Sequence, residues 1–248
     1  MKLAVTAFFM AWGMFWIVPC PLKWWDEDAR TGMLMFLPAV GMLIGLVWAL
    51  CVWFAERTFP GTIAAAVSAV IPFVLSGFIH LDGYMDCADA VLSRRDLETR
   101  RKILKDSHIG SFAAVALVVL FLLEYSVFSG YTFGARVWCL PAVCAAPRAF
   151  ASCAVMLLRP LPGSSYEKMF SDGVPDGAKI AAVAVLGLTV LAPIMIYGRI
   201  GLCAAFGMLG AMLTVAYIRS DLGGMSGDVS GAAITIGELS ALTALALL

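Results

Sequence analysis

Histidine and charge are both scarce in this 248-residue chain. It has two His, and Asp, Glu, Lys and Arg together make up 14% of it. A soluble domain carries roughly 25% charged residues, whereas 62% of this chain is apolar. Two His exclude a metal centre built from imidazoles. Seventeen basic residues balance seventeen acidic ones, so no net positive field points to nucleic acid. The seven Cys, at 20, 51, 87, 139, 144, 153 and 203, form no CxxC pair and lie mostly inside apolar runs. That pattern excludes a disulfide framework and fits small buried hydrophobes. No linker, low-complexity tract or clear repeat divides the chain, so residues 1–248 are expected to form a single domain.

What is present is a succession of long apolar runs. A spanning helix needs about 20 mostly apolar residues. Segments near 3–19, 33–55, 61–79, 111–129, 137–158, 180–197, 200–218 and 231–248 qualify fully or nearly. The reading is an all-α, polytopic membrane bundle of about seven transmembrane helices, within a range of six to eight. The first run is short and ends in Val18-Pro19-Cys20-Pro21, so it either crosses or dips in without crossing. Lys2 before an apolar run resembles a signal peptide, yet no small-x-small site follows, and the segment reads as retained membrane structure. Trp24 and Trp25 suit the headgroup zone.

If the runs alternate, loops 20–32, 80–110, 159–179 and 219–230 share one side. They hold Lys23, Arg30, Arg94, Arg95, Arg100, Arg101, Lys102, Lys105, Arg159, Lys168, Lys179 and Arg219, against Arg57, Arg136 and Arg199 opposite. The excess of basic residues assigns the first side to the cytoplasm, in the cell membrane.

The densest signal is His80-Leu81-Asp82-Gly83-Tyr84-Met85-Asp86-Cys87-Ala88-Asp89. Asp82, Asp86 and Asp89 stand at i, i+4 and i+7, within a roughly 60° arc of one helix face. Like charges that close repel, and a divalent cation removes the cost. Mg²⁺ takes hard oxygen ligands, commonly one or two carboxylates plus water and substrate phosphate. A helix end with solvated charges is the plainer alternative. Three acids on one face favour metal.

The later loops add candidates. Lys105, Asp106 and His108 precede an apolar run. His108 is either a proton carrier or a hydrogen-bonded anchor. Arg148 lies inside an apolar run and is read as an anion binder rather than a structural partner for an acid. Arg159 opens a Pro- and Gly-rich loop. Gly223-Gly224-Met225-Ser226-Gly227-Asp228 places glycines and one carboxylate at a helix start, where backbone can approach a phosphate or metal. Glu238 is a further intramembrane charge.

Taken together these residues resemble the cobalamin synthase family, adenosylcobinamide-GDP ribazoletransferase. The motifs are His80-Leu81-Asp82-Gly83-Tyr84-Met85-Asp86-Cys87-Ala88-Asp89-Ala90, Lys105-Asp106-Ser107-His108-Ile109-Gly110-Ser111-Phe112 and Gly223 to Asp228. Ile17 to Pro21, Phe36 to Gly41 and Pro147-Arg148 support the order, so the resemblance covers nearly the whole chain. Departures include Met85 and Ala90 within the first motif, Ser226 for Thr, and Trp16 where the family often has Arg.

The resemblance implies an enzyme that joins adenosylcobinamide-GDP to α-ribazole or its 5′-phosphate and releases GMP. It implies Mg²⁺ held by Asp82, Asp86, Asp89 and Asp228. Asp82 and His108 become candidate catalytic residues, and His80, Lys105, Asp106, Arg148, Arg159, Gly224 and Ser226 candidate substrate-binding residues. The partners expected are the corrinoid nucleotide, α-ribazole and the lipid bilayer; a homo-oligomer is allowed. An alcohol phosphotransferase using a CDP-activated lipid is the runner-up, but Asp86-Cys87 stands where it needs Ala-Arg. A transporter ranks lower, because its charges belong near mid-membrane.

Overall fold

The computed structural model describes residues 2–170 and 173–248. These residues form eleven α-helices: α1 Lys2–Phe15, α2 Arg30–Thr58, α3 Gly61–Leu75, α4 Ile79–Leu92, α5 Leu97–Ile103, α6 Ser111–Gly130, α7 Leu140–Leu157, α8 Ser165–Met169, α9 Asp176–Tyr197, α10 Cys203–Leu222 and α11 Gly227–Leu247. Among the described residues, β pairing is confined to an isolated parallel bridge between Pro160 and Met225. In lipid every backbone polar group must be satisfied within the chain, and helices achieve this locally.

Among the described residues five helical stretches are long and apolar enough to cross a membrane, or six when the bent pair α3 and α4 counts as one. One of the five, Asp176–Leu222, has 47 residues. It is broken at Gly198, whose φ of 60° and ψ of −131° no α-helix contains. The boundary expected at Gly198–Arg199 is therefore real, and α9 and α10 are separate helices. Dividing the stretch there leaves helices of 22 and 20 residues, each of spanning length.

Contacts sort the loops into two ends. At one end Glu56 accepts from the Phe133 amide at 2.7 Å, Arg136 donates to the Leu245 carbonyl at 3.2 Å, and Tyr197 donates to the Trp138 carbonyl at 3.1 Å. At the other, Arg101 donates to the Leu222 carbonyl at 2.9 Å and the Leu161 amide to the Met225 carbonyl at 2.7 Å. The latter end carries the candidate motifs and is called the site end below.

Two segments differ from the sequence expectation. The run 61–79 is not one straight helix. It stops at Leu75, Gly77 and Phe78 adopt φ of 62° and 61°, and α4 leaves at 93° to α3. Asp82, Asp86 and Asp89 lie on one helix, as their spacing predicts, and the turn before it swings that helix across the site end. The first run forms a helix shorter than a span. Its 14-residue helix α1 is about 21 Å long at 1.5 Å per residue, short of a roughly 30 Å hydrocarbon core. It enters beside the start of α2, with Phe8 against Phe36, and Ile17 donates to the Leu75 carbonyl at 2.8 Å where α3 ends. Residues 16–26 then return to the start of α2.

The interior is filled from α2, α7 and α11, whose buried residues include Trp48, Ile44, Leu140, Ile234 and Leu242. The Trp48 indole donates to the Ser68 carbonyl at 2.8 Å. The faces of α6, α9 and α10 that carry Val115, Leu122, Leu188 and Leu213 are exposed, as a lipid-facing surface requires.

Candidate active site

Helices α4 and α11 meet through glycine. A Cβ on Gly83 would lie 2.7 Å from Asp228 Cα, and one on Gly231 would lie 2.8 Å from the His80 carbonyl oxygen. No side chain fits in either place. This backbone contact sets the acids of α4 against the first turn of α11. Asp82 is exposed, Asp86 and Asp228 are half-buried, and Asp86 lies within electrostatic reach of Asp82, Asp228 and Asp89. Ser226 caps α11 by accepting from the Val229 amide at 3.3 Å and donates to Asp228 Oδ2 at 3.2 Å. Among the described residues no ion pair involves Asp82, Asp86 or Asp228.

These unpaired carboxylates are hard oxygen donors, the set Mg²⁺ prefers. As the side chains stand, no group of three or more His, Cys, Asp or Glu among the described residues is gathered closely enough to hold an ion. One or two protein carboxylates suffice for Mg²⁺ when substrate phosphate and water complete the shell, so the donor chemistry fits.

Asp89 is placed differently from its two neighbours. Its carboxylate accepts from the Gly110 amide at 2.7 Å and the Ala113 amide at 2.9 Å. It thus satisfies two of the orphan donors at the start of α6. A Cβ on Gly110 would fall 2.4 Å from Asp89 Oδ1, so the glycine makes room for the cap.

The glycine-rich turn before α11 serves chain packing. Gly223 ends α10 in the left-handed region, at φ 89°. A Cβ on Gly224 would lie 2.6 Å from Leu161 Cα, because this strand of chain pairs with 159–161 through Met225, whose amide donates to the Arg159 carbonyl at 2.9 Å. The close approach is to backbone of the neighbouring loop. Lys105 joins the same corner: a Cβ on Gly163 would lie 2.8 Å from its Nζ. The side chain of Arg159 remains exposed.

Two basic residues of α5 have a role that the sequence did not assign. Arg100 pairs with Asp221 at 3.1 Å and Arg101 donates to the Leu222 carbonyl. Both clasp the C-terminus of α10, where free carbonyls and the helix dipole favour a cation. The signal available was only the position of Arg100 and Arg101 in a basic loop.

Arg148 is fully buried, and its guanidinium pairs with Glu238 and donates to the Cys144 carbonyl at 2.9 Å. The anion it meets is thus a side chain of α11, 90 residues along the chain, and no surface is left open to a ligand. His80 is buried as well, stacked on Phe15 at a 5.8 Å centroid separation. His108 and Asp106 stand in the exposed segment before α6. His108 Nδ1 is 2.6 Å from Asp106 Oδ1. This bond holds the imidazole pKa above its ordinary 6.5 and the carboxyl below its ordinary 3.8.

The sequence profile of cobalamin-5-phosphate synthase matches residues 7–246. The chain belongs to the cobalamin-5-phosphate synthase family. Proteins named adenosylcobinamide-GDP ribazoletransferase are similar to it throughout. That of Clostridium perfringens is 31% identical over 255 residues, covering all of both chains. That of Ralstonia nicotianae is 32% identical over 250 residues, covering 96% of this chain and 94% of its own. That of Clostridium botulinum is 30% identical, covering 98% and 97%. No solved structure matches. The family is the one its motifs resemble, and the chain is a helical membrane transferase of cobalamin biosynthesis.

Proposed function

We propose that the protein transfers the cobinamide phosphate group of adenosylcobinamide-GDP to α-ribazole or its 5′-phosphate, giving adenosylcobalamin or its 5′-phosphate and GMP. The observation that carries the reading is the meeting of α4 and α11 at Gly83 and Asp228, which sets unpaired carboxylates from two motifs together at the site end. The names of the full-length relatives support the substrates.

In this reaction the ribose 3′-hydroxyl oxygen forms a bond to the phosphorus nearer the cobinamide. The bond from that phosphorus to the bridging oxygen breaks, and GMP leaves with the oxygen. The hydroxyl proton goes to a carboxylate. Asp82, the exposed member of the set, is the acceptor in this proposal. His108, oriented by Asp106, is the other acceptor within the motifs. Asp86 and Asp228, with Asp82 at the open side, would hold Mg²⁺. When bound, the ion would offset diphosphate charge and stabilise the departing phosphate. Lys105, whose Nζ lies beside Gly163, and the exposed Arg159 that opens the same loop would bind non-bridging oxygens. Arg148 has no part in phosphate contact here, since Glu238 occupies it.

The predominance of basic residues in the site-end loops supports a cytoplasmic orientation, where nucleotide substrates are soluble. The test is GMP release by purified protein. Release from adenosylcobinamide-GDP that requires both Mg²⁺ and α-ribazole supports the proposal. Release with no acceptor, or none at all, refutes it.

A further inference from the structure

The face of α4 that turns away from the acids lines an apolar groove. At about 100° per residue Tyr84, Ala88 and Val91 fall opposite Asp82, Asp86 and Asp89. Together with Ala116 of α6, Ile218 of α10 and Ala232 of α11 they line a groove of about 200 Å³. The Tyr84 hydroxyl donates to the Ala116 carbonyl at 3.1 Å and ties α4 to α6 there. The outer faces of α6 and α10 are exposed and apolar, so the groove lies between two lipid-facing walls. Its site end is basic. Arg94 and Arg95 come just after Leu92, and Arg219 just after Ile218, both groove residues. Helix α5 joins these two ends through the Arg100–Asp221 pair at 3.1 Å. Arg100 and Lys102 are thus spent on Asp221 and Glu98, whereas among the described residues no ion pair involves Arg94, Arg95 or Arg219. Arg94 and Arg95 are exposed. Arg94 turns the chain there with a φ of 52°, uncommon for a residue with a side chain.

We propose that this groove binds an anionic phospholipid, with an acyl chain seated against the back of α4 and the headgroup phosphate held by Arg94, Arg95 and Arg219. Charge complementarity selects the occupant. The groove alone would accept the tail of any lipid. Three guanidinium groups without acid partners at its mouth favour a phosphodiester, whose oxygens match their paired N–H donors. The basic loops support a cytoplasmic site end, and the cytoplasmic leaflet is the one rich in anionic lipid. The acids lie on the other face of α4, so lipid and nucleotide occupy opposite sides of one helix and do not compete. The lipid site stands whether or not the reaction proposed above is correct.

The experiment titrates the full chain, purified in neutral detergent, with phosphatidylglycerol and follows the rise in melting temperature. Phosphatidylcholine keeps the tails without net charge, and sn-glycerol 3-phosphate keeps the phosphate without tails. Neither should give the rise. Each Arg near the membrane surface contributes a factor of about five to anionic-lipid affinity, so Arg94→Gln/Arg95→Gln/Arg219→Gln should raise the half-saturating phosphatidylglycerol concentration about 100-fold. Arg57→Gln/Arg199→Gln, which removes two exposed cations from the opposite end, should leave it unchanged. Ala116→Leu, which fills the groove and alters no charge, should lose most of the rise. Saturating adenosylcobinamide-GDP should not displace the lipid. An equal rise with phosphatidylcholine, a rise with sn-glycerol 3-phosphate, an unchanged response in the triple variant or in Ala116→Leu, or displacement by the nucleotide would overturn the proposal.

Discussion

Arg148 on α7 and Glu238 on α11 form an ion pair inside the helix bundle, with side chains 0% and 7% exposed. Neither charge reaches water, so each depends on the other. Removing one partner of a buried pair costs about 3–5 kcal/mol because the remaining charge is stranded. Arg148→Met and Glu238→Leu should each lower thermal stability sharply in detergent. The double variant should recover most of the loss. Additive losses in the double variant, followed by tryptophan fluorescence on heating, would contradict the pairing.

The glycine contact between α4 and α11 yields a second prediction. Gly83→Ala places a methyl 2.7 Å from Asp228 Cα, and overpacking of this kind costs about 1–3 kcal/mol. Its larger effect should be on turnover. Displacing Asp82 and Asp86 from Asp228 by about 1 Å is enough for a roughly 100-fold loss. Gly177→Ala, at an exposed site with open space around it, should leave turnover unchanged. Equal kinetics in the two variants would show that the Gly83 contact does not set the site.

Asp89 separates capping from metal binding. Asn can accept from only one of the two amides that the carboxylate oxygens serve, so Asp89→Asn should lose part of the cap's stability but keep near wild-type turnover and Mg²⁺ dependence. Asp89→Ala should lose about 0.5–2 kcal/mol of stability. A collapse of activity in Asp89→Asn with stability intact would place Asp89 among the ligands instead.

The Asp106–His108 pair gives a pH signature. The folded pKa of His108 lies above 6.5, so its contribution is complete below 6.5 and is lost as pH rises through the folded value. That of Asp106 lies below 3.8, so its contribution is present above 3.8 and is lost as pH falls through the folded value. The pair is therefore strongest between pH 3.8 and 6.5. Asp106→Asn should bring the His108 titration, followed by NMR of labelled imidazole, back toward 6.5. An unchanged midpoint would remove the bond.

Much of this arrangement is legible in the chain itself. Apolar runs of spanning length locate α2, α6, α7, α10 and α11, and the i, i+4, i+7 spacing places Asp82, Asp86 and Asp89 on one helix. Long-range pairings are not legible that way. Glu238 has no partner in its own segment, and Arg148 lies 90 residues away. Asp89 matches its neighbours by type and phase, and only the arrival of α6 at its carboxylate turns it into a cap. Gly224 signals close approach, but whether to phosphate or to backbone depends on where residues 159–161 run. The right-angle turn before α4 is half-announced: Gly77 permits positive φ, yet Phe78, a bulky residue, adopts it too, which is uncommon.

Asp82 remains the residue on which the chemistry turns, and Asp82→Asn tests it with the least change of shape. With Mg²⁺, adenosylcobinamide-GDP and α-ribazole at saturation, initial GMP release by this variant should fall about 10²- to 10⁴-fold while its melting profile stays that of the parent. Turnover close to the parent's, at an unchanged melting profile, would contradict the assignment of the α4–α11 carboxylates as the reaction centre.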